Sequence, residues 1–171
     1  LQLSSKGNRP KLNSANHRQY QYYPNKLKQN FLTDTPNKVW VSDITYAKVG
    51  MDFLYFCVII DLYARKVIGY EVSENIDTTL VSKAFRHAFE SRGNPSGLIF
   101  HSDQGTQYTS FEFRELLKRF GVTQSFSAPG TPYDNAVAES FFASIKKEDF
   151  RRNYYKTEEE FRTAVEEYIG F

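Results

Sequence analysis

The chain has 171 residues, 40% of them apolar and 25% charged, with a net charge of +2. This supports one packed domain with at most an arm, and excludes a large multidomain enzyme or a disordered chain. No apolar run approaches the ~18–20 residues that cross a bilayer and no charged-then-apolar leader opens the chain, while the lone cysteine, Cys57, excludes an internal disulfide or a thiolate metal site, so a cytoplasmic protein with no membrane partner is expected.

The charge is uneven. Residues 1–38 hold seven Lys and Arg (Lys6, Arg9, Lys11, Arg18, Lys26, Lys28 and Lys38) against Asp34 alone, whereas 39–171 hold 15 basic and 19 acidic residues. Residues 1–38, punctuated by Pro10, Pro24 and Pro36, read as a basic N-terminal arm or linker ahead of a domain at 39–171. Such an arm suits a polyanionic partner, or is a solvated terminus. Its Tyr20, Tyr22, Tyr23 and Phe31 either pack on the domain or stack on bases.

Val39 to Val49 is rich in β-branched and aromatic residues and predicts a strand, with a tight turn at Gly50. Phe53 to Ile60 is a near-continuous apolar run, suited to a sheet centre covered on both faces. Arg65 to Val72 completes an antiparallel meander. The period then becomes helical: Leu80, Val81, Ala84, Phe85, Ala88 and Phe89 share a face between a cap at Asp77 or Thr78 and a stop at Gly93. Leu98–His101 is a short strand. Thr109-x-x-Glu112 resembles a capping box ahead of the stripe Phe113, Leu116, Leu117 and Phe120, which stops at Gly121. Val122–Phe126 is a fifth strand, Ser127–Pro132 a mobile loop, and Tyr133 to about Asp149 helical. Thr157-x-x-Glu160 caps a last helix with Phe161, Ala164, Val165 and Tyr168 on one face. That stripe still runs at Phe171, which predicts a fragment truncated at its C-terminus. The order βββ-α-β-α-β-α-α predicts an α/β mixed five-stranded sheet, three antiparallel strands and then two parallel, flanked by helices. Several folds satisfy this order, the ribonuclease H-like fold among them.

Three acids stand where acids are disfavoured or clustered. Asp43 lies inside the first strand, with Ser42 and Ile44 on the opposite face. An edge-strand Asp facing water is the plainer alternative. Asp103 ends the strand Leu98–Phe100 at its carboxyl end, where open α/β sheets bind ligands, although a polar helix-capping turn would look similar. On a wheel of about 100° per residue, Val137, Phe141 and Ile145 form a core stripe, and Asn135, Glu139 and Lys146 share the opposite face. Alone, that face would read as solvated. Two strand aspartates and a helix glutamate together suit Mg²⁺, whose oxygen ligands can hold a pair of ions for phosphoryl transfer. Asp43 is the natural bridging ligand, because a first strand that pairs onward tends to be central. The histidines His17, His87 and His101 show no zinc spacing.

Asp103 and Glu139 have 35 residues between them, and Lys146 follows Glu139 by seven. This resembles the D,D(35)E signature of retroviral integrases and bacterial transposases. Four blocks resemble the insertion-sequence-three group: Val39-Trp-Val-Ser-Asp-Ile-Thr-Tyr, Asp61-Leu-Tyr-Ala-Arg-Lys-Val-Ile-Gly, His101-Ser-Asp-Gln-Gly-Thr-Gln-Tyr-Thr-Ser and Tyr133-Asp-Asn-Ala-Val-Ala-Glu-Ser-Phe-Phe. The resemblance covers about residues 30–171 and implies a ribonuclease H-like catalytic core. It implies Mg²⁺ or Mn²⁺, two ions in the active complex, at Asp43, Asp103 and Glu139. It implies DNA, as element ends and target, as the partner in a bacterial cytoplasm, with strand cleavage by water and then attack of a DNA 3′-hydroxyl on a phosphodiester, in a dimer or larger assembly on DNA. Lys146 matches a position that contacts element-end DNA, and Asn135 matches an asparagine common before the glutamate. Lys147, Arg151 and Arg152 are further candidates to hold DNA phosphates, or are a solvated face. Gln104 and the loop Ser127-Ala-Pro-Gly-Thr-Pro depart from the family in lacking basic residues, which touches DNA contacts rather than metal ligands. Glu139 is expected to be the displaceable ligand, since its helix follows a loop. A ribonuclease H-type nuclease and an inactive nucleic-acid-binding remnant are the alternatives.

Overall fold

A computed structural model describes residues 24–26, 33–128 and 135–170. The strands are β1 (Val39–Val49), β2 (Asp52–Asp61), β3 (Lys66–Ser73), β4 (Ile99–Ser102) and β5 (Thr123–Phe126). The helices are α1 (Thr78–Ser91), α2 (Thr106–Thr109), α3 (Phe111–Arg119), α4 (Ala136–Ile145) and α5 (Glu158–Ile169), and α4 runs into a π-helical turn at Lys146–Phe150. Most of the expected arm and the stretch 129–134, including the loop tip and Tyr133, lie outside the described residues. Among the described residues, no helix is long and apolar enough to cross a membrane.

The sheet order is β3-β2-β1-β4-β5, so β1 is central, as its onward pairing suggested. β1 pairs antiparallel with β2 from Trp40↔Asp61 to Val49↔Asp52, and β2 pairs antiparallel with β3. β4 runs parallel to β1 and to β5. The expected mixed sheet is therefore the observed one. The apolar run in β2 is explained by two covered faces: Phe56, Cys57, Val58 and Ile59 are fully buried. Cys57 and Ile59 join Trp40, Phe85, Phe100 and Phe113 under α1 and α3. Phe56, Val58 and Ile60 join Val41, Phe142, Ile145, Phe161 and Val165 under α4 and α5.

Polar details lock this frame. The fully buried Asp61 accepts the N–H groups of Asn37 and Tyr63, both at 3.0 Å, and Arg92 lies 3.9 Å from it. Gly69 lets α1 press onto β3, since a Cβ there would lie 2.7 Å from Ala88 Cβ and 2.9 Å from the Ala84 carbonyl. Arg162 of α5 covers the outer edge of β3, donating to the Val72 carbonyl at 2.6 Å and pairing with Glu71 at 3.2 Å. An edge strand covered in this way is a poor template for aggregation.

Two local expectations need correction. Asp77 caps α1 by accepting Leu80 N–H, as one of the two expected caps, but α3 is capped by Ser110, not Thr109. Thr109 is spent in the unforeseen turn α2, its hydroxyl donating to the Gly105 carbonyl at 3.3 Å. The α4 stripe is also turned: Ala138, Phe142 and Ile145 are the buried residues, and Val137 and Phe141 sit at its margin. Asn135 is the N-cap with φ −130°, so it does not follow the helical wheel, and the α-helical repeat stops at Ile145 where the wider π turn begins. Ser110→Ala should lower stability by about 1 kcal/mol and Thr109→Ala by about 0.5 kcal/mol or less, read from urea midpoints.

Candidate functional site

Alternation along β1 decides which way its polar residues point. Val41, Ala47 and Val49 face α4 and α5, and Trp40 and Ile44 face α1 and α3. Ser42 follows the second set. Its buried hydroxyl donates to the Val58 carbonyl at 2.8 Å and sits 2.8 Å from the Tyr108 hydroxyl, which is then the donor. Asp43 follows the first set, toward α4. It is not a solvent-facing edge residue: its carboxyl is pushed up from 3.8 to about 6, by burial first and then by the neighbouring Asp103 and Glu139. The Ile44 N–H, 2.8 Å from Oδ1, and Lys146 act the other way.

Asp103 is placed by the parallel ladder. β1 and β4 pair as Val39↔Ile99, Trp40↔Phe100 and Val41↔His101. The ladder ends there and β4 ends at Ser102; Asp103, the next residue, lies near enough to Asp43 to raise its carboxyl. The chain turns there because Asp103 Oδ1 accepts the Gly105 N–H at 2.8 Å. A Cβ at Gly105 would stand 2.9 Å from that same oxygen and 2.7 Å from Gln107 Oε1, so a larger residue there would push both side chains aside.

The floor beneath Asp103 is held by hydrogen bonds. The buried His101 ring lies between Ser125 Oγ at 2.9 Å and Ser127 Oγ at 3.0 Å. Gln104, where a basic residue was expected, donates to the Ser127 carbonyl at 3.0 Å. His101 is thus a structural crosspiece, and His87 sits on α1 beside Glu71, apart from the acids.

Glu139 lies on the first turns of α4, largely exposed, and partial burial raises its carboxyl above 4.5. Lys146, at the start of the π turn, lies 6.0 Å from the centre of the exposed Tyr46 ring. Asn135 does not share an exposed face with them. It is 5% exposed, and its Nδ2 donates to the Ser42 carbonyl at 3.1 Å. Lys147, Arg151 and Arg152 stand exposed along and just after the π turn. The structure therefore brings Asp43 beside Asp103 and within electrostatic reach of Glu139 and Lys146. It stops short of a finished cradle: among the described residues, no three His, Cys, Asp or Glu are grouped to hold a metal ion. The donor set itself is all carboxylate oxygen, which fits a hard divalent cation, and a cation would relieve the repulsion that raises Asp43. Sequence reasoning missed the Tyr46 ring beneath Lys146 and the Asn135–Ser42 bond, since neither has a local signal.

Comparison with known proteins points to transposases and integrase cores. The transposase for insertion sequence element IS904 of Lactococcus lactis is 38% identical over 146 residues, 85% of this chain and 58% of that protein. Transposase InsF for insertion sequence IS3A of Escherichia coli is 39% identical over 145 residues, again 85% of this chain and 50% of that one. The chain thus spans about half the length of these curated relatives. Among solved structures, the catalytic domain of Mos1 mariner transposase superposes with a TM-score of 0.66 at 15% identity, covering 78% of this chain and 70% of that one. The HTLV-2 integrase catalytic core in complex with magnesium superposes with a TM-score of 0.55 at 22% identity, covering 66% and 69%. At these identities the superpositions establish the ribonuclease H-like fold. The integrase core domain family model matches residues 33–132, and with a central strand aspartate set beside a second at the end of the adjoining parallel strand, the chain belongs to that family.

Proposed function

We propose that this chain is the catalytic core of a bacterial DNA transposase, acting in the cytoplasm, and that it cleaves a DNA strand and joins a 3′-hydroxyl to a new phosphodiester. The carrying observation is Asp43: a carboxylate in the central strand, set beside Asp103 and raised to about 6 by burial and two further carboxylates. Clustered like charges are costly in a folded core, and they cluster where an active site needs them. The transposase names of the IS904 and IS3A relatives and the magnesium in the HTLV-2 integrase core support the same reading.

Asp43, Asp103 and Glu139 are the residues that would hold Mg²⁺ or Mn²⁺, with Asp43 shared if two ions bind. Such ions activate the attacking oxygen and stabilise the leaving one in phosphoryl transfer. The chain supplies placement. β1 and β4 fix the two aspartates, α4 brings Glu139 over them, and Lys146 holds a DNA phosphate beside them. Lys147, Arg151, Arg152 and the basic arm of residues 1–38 extend the phosphate-binding surface of the core at 39–171. Asn135 stands at the same site, at the N-cap of α4. Two DNA ends must be handled together for transposition, so the working unit on DNA is a dimer or larger. The paired-end complex of Mos1 transposase is a structural precedent for such an assembly.

In Mn²⁺, the protein should nick and join a short DNA duplex carrying its element end, and Asp43→Asn should abolish both. Cutting of an RNA–DNA hybrid without DNA joining would favour the ribonuclease H-type alternative, and wild-type activity in Asp43→Asn would remove the catalytic assignment. Lys146→Ala should weaken DNA binding across sequences and lower the slope of log affinity against log salt by about 1, measured by titration at several salt concentrations.

Asp43 also predicts a pH dependence in the metal-free protein. Its folded value, about 6, lies above the ordinary 3.8, so the folded state keeps a proton that the unfolded chain has released. The stability from that proton is full below pH 3.8 and lost as pH rises through 6. In EDTA, Asp43→Asn should therefore match wild type near pH 3.5 and exceed it by on the order of 1–3 kcal/mol at pH 7, allowing for solvent screening. Added Mg²⁺ should raise the Tm of wild type and not of the variant.

A further inference from the structure

We propose that Asn135 is a positioning residue, which pins the start of α4, and with it Glu139, to the backbone that carries Asp43. The proposal rests on the metal-site reading above. An N-cap asparagine ordinarily turns its side-chain oxygen onto the helix's own free N–H groups. Asn135 occupies the N-cap of α4 and makes no such bond. Its side chain instead crosses to a strand 93 residues earlier, where Nδ2 donates to the Ser42 carbonyl at 3.1 Å. A carbonyl can only accept, so this contact fixes which end of the amide faces β1.

Two features make the bond a link between ligands rather than an ordinary tertiary contact. Ser42 directly precedes Asp43 and follows Val41, the last residue of β1 paired with β4. The tether therefore meets β1 at the point where the parallel ladder stops and the acid begins. Glu139 lies four residues after Asn135, about 6 Å along the helix axis. One hydrogen bond thus ties the start of the helix that carries Glu139 to the residue next to Asp43. Packing of Ala138, Phe142 and Ile145 holds the body of α4 on the sheet, and the amide holds its leading end.

The second observation is the other half of the amide. Asn135 is 5% exposed, and its Oδ1 has no hydrogen-bond partner among the described residues. A buried carbonyl oxygen without a donor is destabilising, so stability alone does not account for an amide at this position. Groups behind metal ligands commonly hold those ligands in orientation at such a cost, and their loss weakens metal binding by about 10–100-fold.

The test is Mn²⁺ binding to the DNA-free chain, followed by electron paramagnetic resonance, with melting curves in EDTA alongside. Asn135→Leu and Asn135→Ala should bind Mn²⁺ about 10–100-fold more weakly than wild type while melting within a few degrees of it. Asn135→Gln, which keeps the amide on a longer stem, should recover part of the affinity. Unchanged Mn²⁺ affinity in the Leu and Ala variants, with DNA joining lost, would overturn the proposal in favour of a direct DNA contact. Unfolding of both variants in EDTA would overturn it in favour of a purely structural role. If wild type and Asp43→Asn bind Mn²⁺ equally poorly, the metal-site reading fails first, and that result is distinct from a loss confined to the Asn135 variants.

Discussion

The site depends on a parallel ladder that is only three residues long. β1 pairs with β2 over its whole length, so it cannot slip without turning its apolar residues to the wrong face. β4 joins its other side at Val39–Val41 and then stops. The same strand is therefore interior at its start and without a ladder partner on that side from Ser42 until Val49, which bridges to Tyr155. The carboxyl end of β4 and the unpaired stretch of β1 meet there. It also leaves the Ser42 carbonyl outside the ladder, and Asn135 takes it up.

Placing Asp43 beside Asp103 is electrostatically unfavourable, and the rest of the fold must overcome it. The two cores do so with apolar burial on both faces of β2 and with the aromatic cluster of Trp40, Phe85, Phe89, Phe100 and Phe113 under α1 and α3. Active sites elsewhere show the same exchange of stability for function. Beneath the acids, polar groups are paired with little slack: Ser42 with Val58 and Tyr108, and His101 with two serines. A floor of this kind cannot readily move toward the carboxylates. α4, by contrast, carries a Glu139 that is largely exposed.

Much of this was legible in the residues. The unbroken apolar run of β2 and the six buried positions of α1 carry periods that only one packing satisfies. Asp43 and Asp103 were visible because an acid inside a strand and an acid at a strand's end both break the local pattern. What could not be read depends on partners far along the chain or on a change of helical geometry. Asn135 looked like one of three residues on a polar face, since a wheel assumes that the helix has already begun. Its partner lies on another element, and nothing near residue 135 names Ser42. The cap of α3 moved from Thr109 to Ser110 because α2 intervenes, and the two hydroxyls are equivalent in a sequence pattern. Lys146 closes α4 with α-helical geometry, and the π turn begins with it, near Tyr46.

The described piece of the basic arm bears on the same floor. Pro24 offers its carbonyl to Phe126 N–H at 3.0 Å, and the Lys26 N–H donates to Ser125 Oγ at 2.8 Å, so residues 24–26 lie along the outer edge of β5. Ser125 is also the hydroxyl that holds one nitrogen of His101, and Ser127, on its other nitrogen, accepts from Gln104 through its carbonyl. Gln104 directly follows Asp103. A continuous run of hydrogen bonds therefore joins the arm's point of attachment to the turn that presents the second aspartate. Covering the edge of β5 and bracing Asp103 are, in this fold, consequences of one serine facing two ways.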